Sequence, residues 1–231
     1  MKTYQPLFFD DLHIKLLKQG NYTQILSLIS NKESNWERVC FDRLLAIIHD
    51  LEVLGLKQQK ILDVGCNIGF FSHTLSALGH TVVGIDNNAA PNVQGFYAEP
   101  CLDTAQKNNT IYNTDARFIE ADIEDYIKNT SDRYDIILLF NVVHHFFNGY
   151  AKTGIGKKED AEIIEILHQF CKHSNRIIYF EGPENEPINY YPDGYNFPRW
   201  FVDVAKVNTV TPICFTVGAN GFIRNLYRIE I

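Results

Sequence analysis

The stretch K60-I-L-D-V-G-C-N-I-G-F-F-S-H-T-L75 decides how the rest of the chain is read. Three apolar positions around Asp63 make a short strand, Gly65 and Gly69 bracket a turn, and an apolar helix begins. Glycines at a strand-to-helix turn let the backbone approach a ligand closely, and the helix start offers unpaired N–H groups beside them. The spacing is D-x-G-x-N-x-G, not the G-x-G-x-x-G of a dinucleotide loop. Taken alone, such a loop also reads as simple turn chemistry.

The next apolar run, TVVGID (81–86), ends in Asp86, where a carboxylate can accept both hydroxyls of a ribose. ARFIEA (116–121), YDIILLF (134–140) and NRIIYFE (175–181) continue the series. Helical segments near 69–79, 100–109, 122–129 and 158–172 lie between the strands. Strands apolar on both faces, alternating with helices, predict an α/β fold with a parallel sheet covered on both sides. TVTPICFTV (209–217) and GFIRNLYRIEI (221–231), joined by a Gly-Ala-Asn-Gly turn, predict an antiparallel hairpin at the end.

Before Lys60 the pattern is helical. Leu12, Leu16 and Leu17 share a face that stops at Gly20, NYTQILSLIS suggests a second short helix, and Val39, Leu44, Ile47, Ile48 and Leu51 mark a third. The expected organisation is an N-terminal helical extension, 1–55, packed on a core domain, 56–231.

Composition narrows the classes. The 231 residues suit one domain, and a hydrophobic fraction of 45% allows a substantial core. No run approaches ~18 apolar residues, and the N-terminus has no signal-peptide core, so a soluble cytoplasmic protein is expected. Five scattered cysteines without a C-x-x-C pair point to reduced thiols. A net charge of −7 disfavours general nucleic-acid binding, and Lys157-Lys158 runs straight into Glu159 and Asp160.

ILDVGCNIG, VVGIDNN, FIEADIEDY and YDIILLFNVVHH, in this order and spacing, resemble the motifs of class I S-adenosylmethionine-dependent methyltransferases. The resemblance runs from about Trp36 to the C-terminus. It implies a Rossmann-like doubly wound sheet of seven strands, mostly parallel, with the hairpin as strands six and seven. It also implies that S-adenosylmethionine is the cofactor. Asp63 and the loop of Gly65, Cys66, Asn67 and Gly69 would hold its amino-acid end. Asp86, with Asn87 beside it, would hold the ribose. Asp122 would accept from the adenine amine, with Ile123 against the ring, and Asn141 would lie beside the sulfonium. Asn67 replaces the family's usual middle glycine. Asp122 also reads as a helix N-cap, and the two roles are compatible because a carboxylate has two oxygens.

His144 and His145 follow the fourth strand, at the edge where open α/β sheets bind ligands. An imidazole with a pKa near ~6.5 suits a general base for an oxygen or nitrogen nucleophile. Both histidines are candidates, His145 marginally ahead. Capping or packing against Phe146 and Phe147 is the competing reading. Adjacent positions point apart in this reading, and they lack the i, i+4 spacing of metal ligands, so no required metal is expected.

NGYAKTGIGKKED resembles a P-loop only superficially, with Ala151 and Lys158 at the wrong positions, and reads as a loop over the active-site edge. In EGPENEPINYYPDGYNFPRWF, Tyr190, Tyr191, Tyr195, Phe197 and Trp200 are candidates for a substrate lid. Arg199 is a candidate partner for an acidic group on the substrate. The function implied is methyl transfer to oxygen or nitrogen of a small molecule or glycan, with no membrane partner. The competing readings are an RNA (tRNA) methyltransferase, a non-catalytic S-adenosylmethionine-binding module and a nicotinamide-dependent dehydrogenase.

Overall fold

The computed structural model describes residues 19, 35–88, 100–149, 158–182, 197–203, 205–217 and 223–231. Two helices expected before residue 35, the Gly-Ala-Asn-Gly turn, most of the 149–158 loop, and Tyr190, Tyr191 and Tyr195 lie outside these residues.

Helix α1 (Asn35–Val53) leads into β1 (Lys60–Val64), α2 (Phe70–Ala77), β2 (Thr81–Asp86), α3 (Cys101–Tyr112), β3 (Arg117–Glu120) and α4 (Ile123–Asn129). Then come β4 (Tyr134–Phe140), α5 (Val143–Asn148), α6 (Asp160–His173), β5 (Ser174–Glu181), α7 (Phe197–Asp203), β6 (Thr209–Val217) and β7 (Ile223–Glu230). The seven strands form one sheet in the order β3-β2-β1-β4-β5-β7-β6. The first five are parallel, and β7 runs antiparallel between β5 and β6. The expected α/β sheet with an antiparallel end is therefore present, with the last strand inserted inside the hairpin's partner.

The core divides by the two-residue period of the strands. Ile136, Leu138 and Phe140 of β4 pack with Leu44, Ile47, Ile48 and Leu51 of α1 and Leu75 of α2. Ile137 and Leu139 pack on the other face with Ile163, Ile166 and Phe170 of α6 and with Ile127 of α4. Burial on both faces explains why these strands read as continuous apolar runs.

Two elements differ from the expectation. The histidine pair lies inside a six-residue helix, α5, too short for an apolar period to announce. The aromatic segment ends in α7, where Trp200 and Phe201 join the core at 7% and 1% exposure, so Trp200 is not a lid residue. Their rings meet edge to face at 5.0 Å, which gives these aromatics the burial they need. Arg199 sits in α7, and its side chain lies outside the described residues.

Candidate active site

The sheet register brings the expected cofactor residues to one edge. Asp86 lies opposite Glu120, Val64 opposite both Ile85 and Leu139, so the ends of β3, β2, β1 and β4 form a row. Asp122, Asp86, the loop after Val64, and Asn141 each lie at or just beyond the carboxyl end of one of these strands, where open α/β sheets bind ligands.

The loop is stitched to β2. The N–H groups of Gly65 and Cys66 both donate to the Ile85 carbonyl, at 2.9 and 3.0 Å. Gly65 has φ +69°, and a Cβ there would stand 2.9 Å from Val142 Cγ2, so both conformation and space call for glycine. Asn67 has φ +52°, in the left-handed region that asparagine tolerates better than other side chains. Asn67 thus takes a backbone conformation that glycine adopts freely. The Asn67 backbone N–H then donates to Asp86 Oδ2 at 2.9 Å, while the Asn67 side-chain Oδ1 accepts from Ile68 N at 2.7 Å. Gly69 caps α2 with φ +84°.

Asp63 points into the protein at 3% exposure. Its Oδ2 accepts the Ser72 hydroxyl at 2.6 Å, which ties the first turn of α2 to the neighbouring strand. Burial pushes its pKa up to about 6, against the Ser72 bonds that lower it, with the Asp86 charge a smaller raising cause. A raised carboxyl pKa contributes stability that is present below about pH 4 and lost as the pH rises through about 6. Asp63→Asn removes this dependence. Relative to Asp63→Asn, the wild type should lose roughly 2 kcal/mol between pH 4.5 and 8. Paired urea melts at the two values measure the difference.

Asp86 is 9% exposed, and both its oxygens hold the loop. Oδ2 takes Asn67 N and Oδ1 takes Asn88 N at 3.0 Å, with the Cys101 thiol at 3.6 Å. Burial raises its pKa, opposed by the N–H groups of Asn67, Asn88 and Asn87 and by Cys101. Each oxygen has two lone pairs, so Oδ1, with two donors, is filled, and Oδ2, with one, retains capacity for a ligand hydroxyl. Asn88 extends the network: its Oδ1 accepts Leu102 N at 3.0 Å and its Nδ2 donates to Glu120 at 2.9 Å. Asp122 is a cap, as one of its two readings had it. Its Oδ1 accepts Glu124 N at 2.9 Å and Asp125 N at 3.4 Å, and Ile123 opens α4 packed on the core. Both bonds fall on one oxygen, which leaves Oδ2 for the ligand reading.

Beyond β4, Asn141 has φ +56° and its Oδ1 accepts from Arg224 Nη1 of β7. The rings of His144 and His145 do not point apart as expected: their centroids lie 3.8 Å from each other. Neither has an ordinary imidazole pKa. Burial, then His145, then Arg224 push His144 down to about 3. Burial, then Arg224 push His145 down to about 4. Both are neutral at pH 7 and much weaker bases than a solvated histidine.

A buried ionic group at this edge escaped the sequence reading. Arg43 of α1, 2% exposed, donates from Nη1 to Glu181 Oε2 at 2.7 Å. Glu181 closes β5, and its Oε1 faces Arg224 Nη1 at 3.6 Å. Two turns further along α1, Asp50 accepts from Tyr179 at 2.8 Å and Arg228 at 2.6 Å. Arg43, Ile47 and Asp50 form one buried stripe, spaced i, i+4, i+7. The only sequence signal was charge inside an apolar helical stripe. Among the described residues, no group of three or more His, Cys, Asp or Glu is placed to hold a metal ion.

Comparison with known proteins gives consistent matches. Residues 61–155 match the family profile described as "Methyltransferase domain". The chain is 28% identical over 168 residues to the ubiquinone biosynthesis O-methyltransferase of Pseudomonas savastanoi pv. phaseolicola, covering 70% of this chain and 61% of that protein. It thus spans about three fifths of that relative's length. Over 91 residues it is 28% identical to the enzyme of the same name from Vibrio parahaemolyticus, covering 39% of this chain and 34% of that one. Among solved structures, magnesium protoporphyrin IX methyltransferase from Synechocystis PCC 6803, with bound S-adenosylmethionine, aligns with a TM-score of 0.61 at 13% identity, covering 98% and 99% of the two chains. The bifunctional kinase-methyltransferase WbdD aligns with a TM-score of 0.60 at 21% identity, covering 82% of this chain and 39% of its own. At these identities the structural likeness establishes the fold.

Proposed function

We propose that this chain, whose residues 61–155 match a family described as "Methyltransferase domain", is an S-adenosylmethionine-dependent methyltransferase that acts on oxygen or nitrogen of a small molecule or glycan. The observation that carries the proposal is the row of Asp122, Asp86, the Gly65 loop and Asn141 along one sheet edge.

The residues present fit S-adenosylmethionine. The Gly65–Gly69 loop brings backbone close to the edge with no Cβ at its two tightest points. Asp86 offers acceptor capacity for a ribose, and Asp122 Oδ2 an acceptor for an exocyclic amine. Asn141 presents an amide at the end of β4. When bound, S-adenosylmethionine supplies a methyl group already activated on a sulfonium, so the protein's task is mainly alignment. Two neutral imidazoles at that edge add no positive charge beside such a cation. They serve as uncharged hydrogen-bonding walls more readily than as bases.

The relatives named as O-methyltransferases favour oxygen as the nucleophile. The cytoplasm is the proposed location, and no described helix is long and apolar enough to cross a membrane. The test is incubation with S-adenosylmethionine labelled in the methyl group and a panel of phenols, alcohols, amines and glycans. Labelled acceptor together with stoichiometric S-adenosylhomocysteine is the expected result. Cofactor binding with no transfer to any member would favour a non-catalytic module.

A further inference from the structure

Glu181 is 1% exposed and stands at the carboxyl end of β5, on the edge that holds the cofactor residues. Arg43 occupies its Oε2 at 2.7 Å. Its Oε1 receives no hydrogen bond from any described residue, and the Arg224 contact at 3.6 Å is longer than a hydrogen bond. Buried carboxylate oxygens ordinarily have donors, so this one calls for an explanation.

The surroundings say what kind of donor fits. Phe140 is the partner of Glu181 across the β4–β5 ladder, and the Phe71 ring lies 5.1 Å from that of Phe140. The Arg43 guanidinium stands 5.9 and 5.8 Å from these two rings. Glu181 therefore offers one polar acceptor beside an aromatic wall. Its charge is already matched by Arg43, so the remaining oxygen suits a neutral donor better than an ammonium. Thr216, 3% exposed and opposite Arg224 in the β6–β7 ladder, has a hydroxyl that likewise finds no partner among the described residues.

We propose that Glu181 Oε1 is a binding point for the methyl acceptor, taking the hydrogen bond of a hydroxyl carried on an aromatic or otherwise apolar molecule. The bond fixes the direction of the hydroxyl and so of its nucleophilic lone pair. Arg43 anchors the carboxylate from α1. Arg224, held by Asn141 and partly exposed, is the side from which the acceptor reaches it. The proposal rests on the methyltransferase reading and narrows its acceptor to a hydroxyl.

The test is calorimetric titration of the full chain, loaded with S-adenosylhomocysteine, with phenol and with fluorobenzene. The two probes are close in size, and only phenol donates. Phenol should bind at least about tenfold more tightly, the factor expected of a hydrogen bond to a charged acceptor. In Glu181→Gln the single amide oxygen goes to Arg43, which puts a donor where Oε1 stood. The preference for phenol should then fall to about one, with affinity for S-adenosylhomocysteine retained. Equal binding of the two probes by the wild type, or no phenol binding, would overturn the proposal without need of the variant. So would a phenol preference that survives in Glu181→Gln. Failure to bind S-adenosylhomocysteine would instead overturn the methyltransferase reading, and the proposal with it.

Discussion

Asp86→Ala is expected to weaken binding of S-adenosylhomocysteine by more than about a hundredfold, the sum of two losses. The first is the acceptor proposed for the ribose. The second is the loop itself: Asn67 N and Asn88 N both donate to this carboxylate, and both would be left without it. An unsatisfied buried donor costs roughly 1–3 kcal/mol, so the loop would leave the geometry that Asn67 adopts at φ +52°. Asp86→Asn tells the two apart. Its amide keeps one acceptor oxygen but turns an N–H group toward the other backbone donor, so an intermediate loss is expected. Titration calorimetry on the three proteins, with thermal melts as a control for folding, gives the order directly.

Arg43→Met should destabilise the fold by about 3–5 kcal/mol, the cost of leaving a buried carboxylate without its partner. Arg43 and Glu181 are 2% and 1% exposed and 138 residues apart, so the pair fastens α1 to the end of β5. For a chain of this size each kcal/mol moves the melting temperature by about 2–4 °C, and a fall of roughly 6–20 °C follows. Adding Glu181→Leu should recover most of the loss, because an apolar pair removes the stranded charge along with its partner. Urea melts of the single and double variants would contradict this account if both singles lay within 1 kcal/mol of the wild type.

What the sequence disclosed follows from the range of the interactions involved. The sheet was legible because its strands are buried on both faces and carry unbroken apolar runs such as Ile136–Phe140. The loop was legible because Gly65, Asn67 and Gly69 all have positive φ, which narrows the choice of residue. Asp122 announced its cap by standing directly before a helix. Other features depend on partners far along the chain. Asp63 was assigned to the cofactor's amino-acid end, and its bond to Ser72 depends on how α2 packs. The histidines were assigned an ordinary pKa, and it is burial that displaces them to about 3 and 4. Arg43 showed only as a charge inside an apolar helical stripe, because the contact with Glu181 that defines it is tertiary. The six- and seven-residue helices α5 and α7 complete too few turns to show a period.

The central claim is that the edge row holds S-adenosylmethionine. Its most direct test is calorimetric titration of the wild type with S-adenosylhomocysteine and, separately, with NAD. Micromolar binding of S-adenosylhomocysteine with none of NAD is the result predicted here. Binding of NAD alone would contradict it.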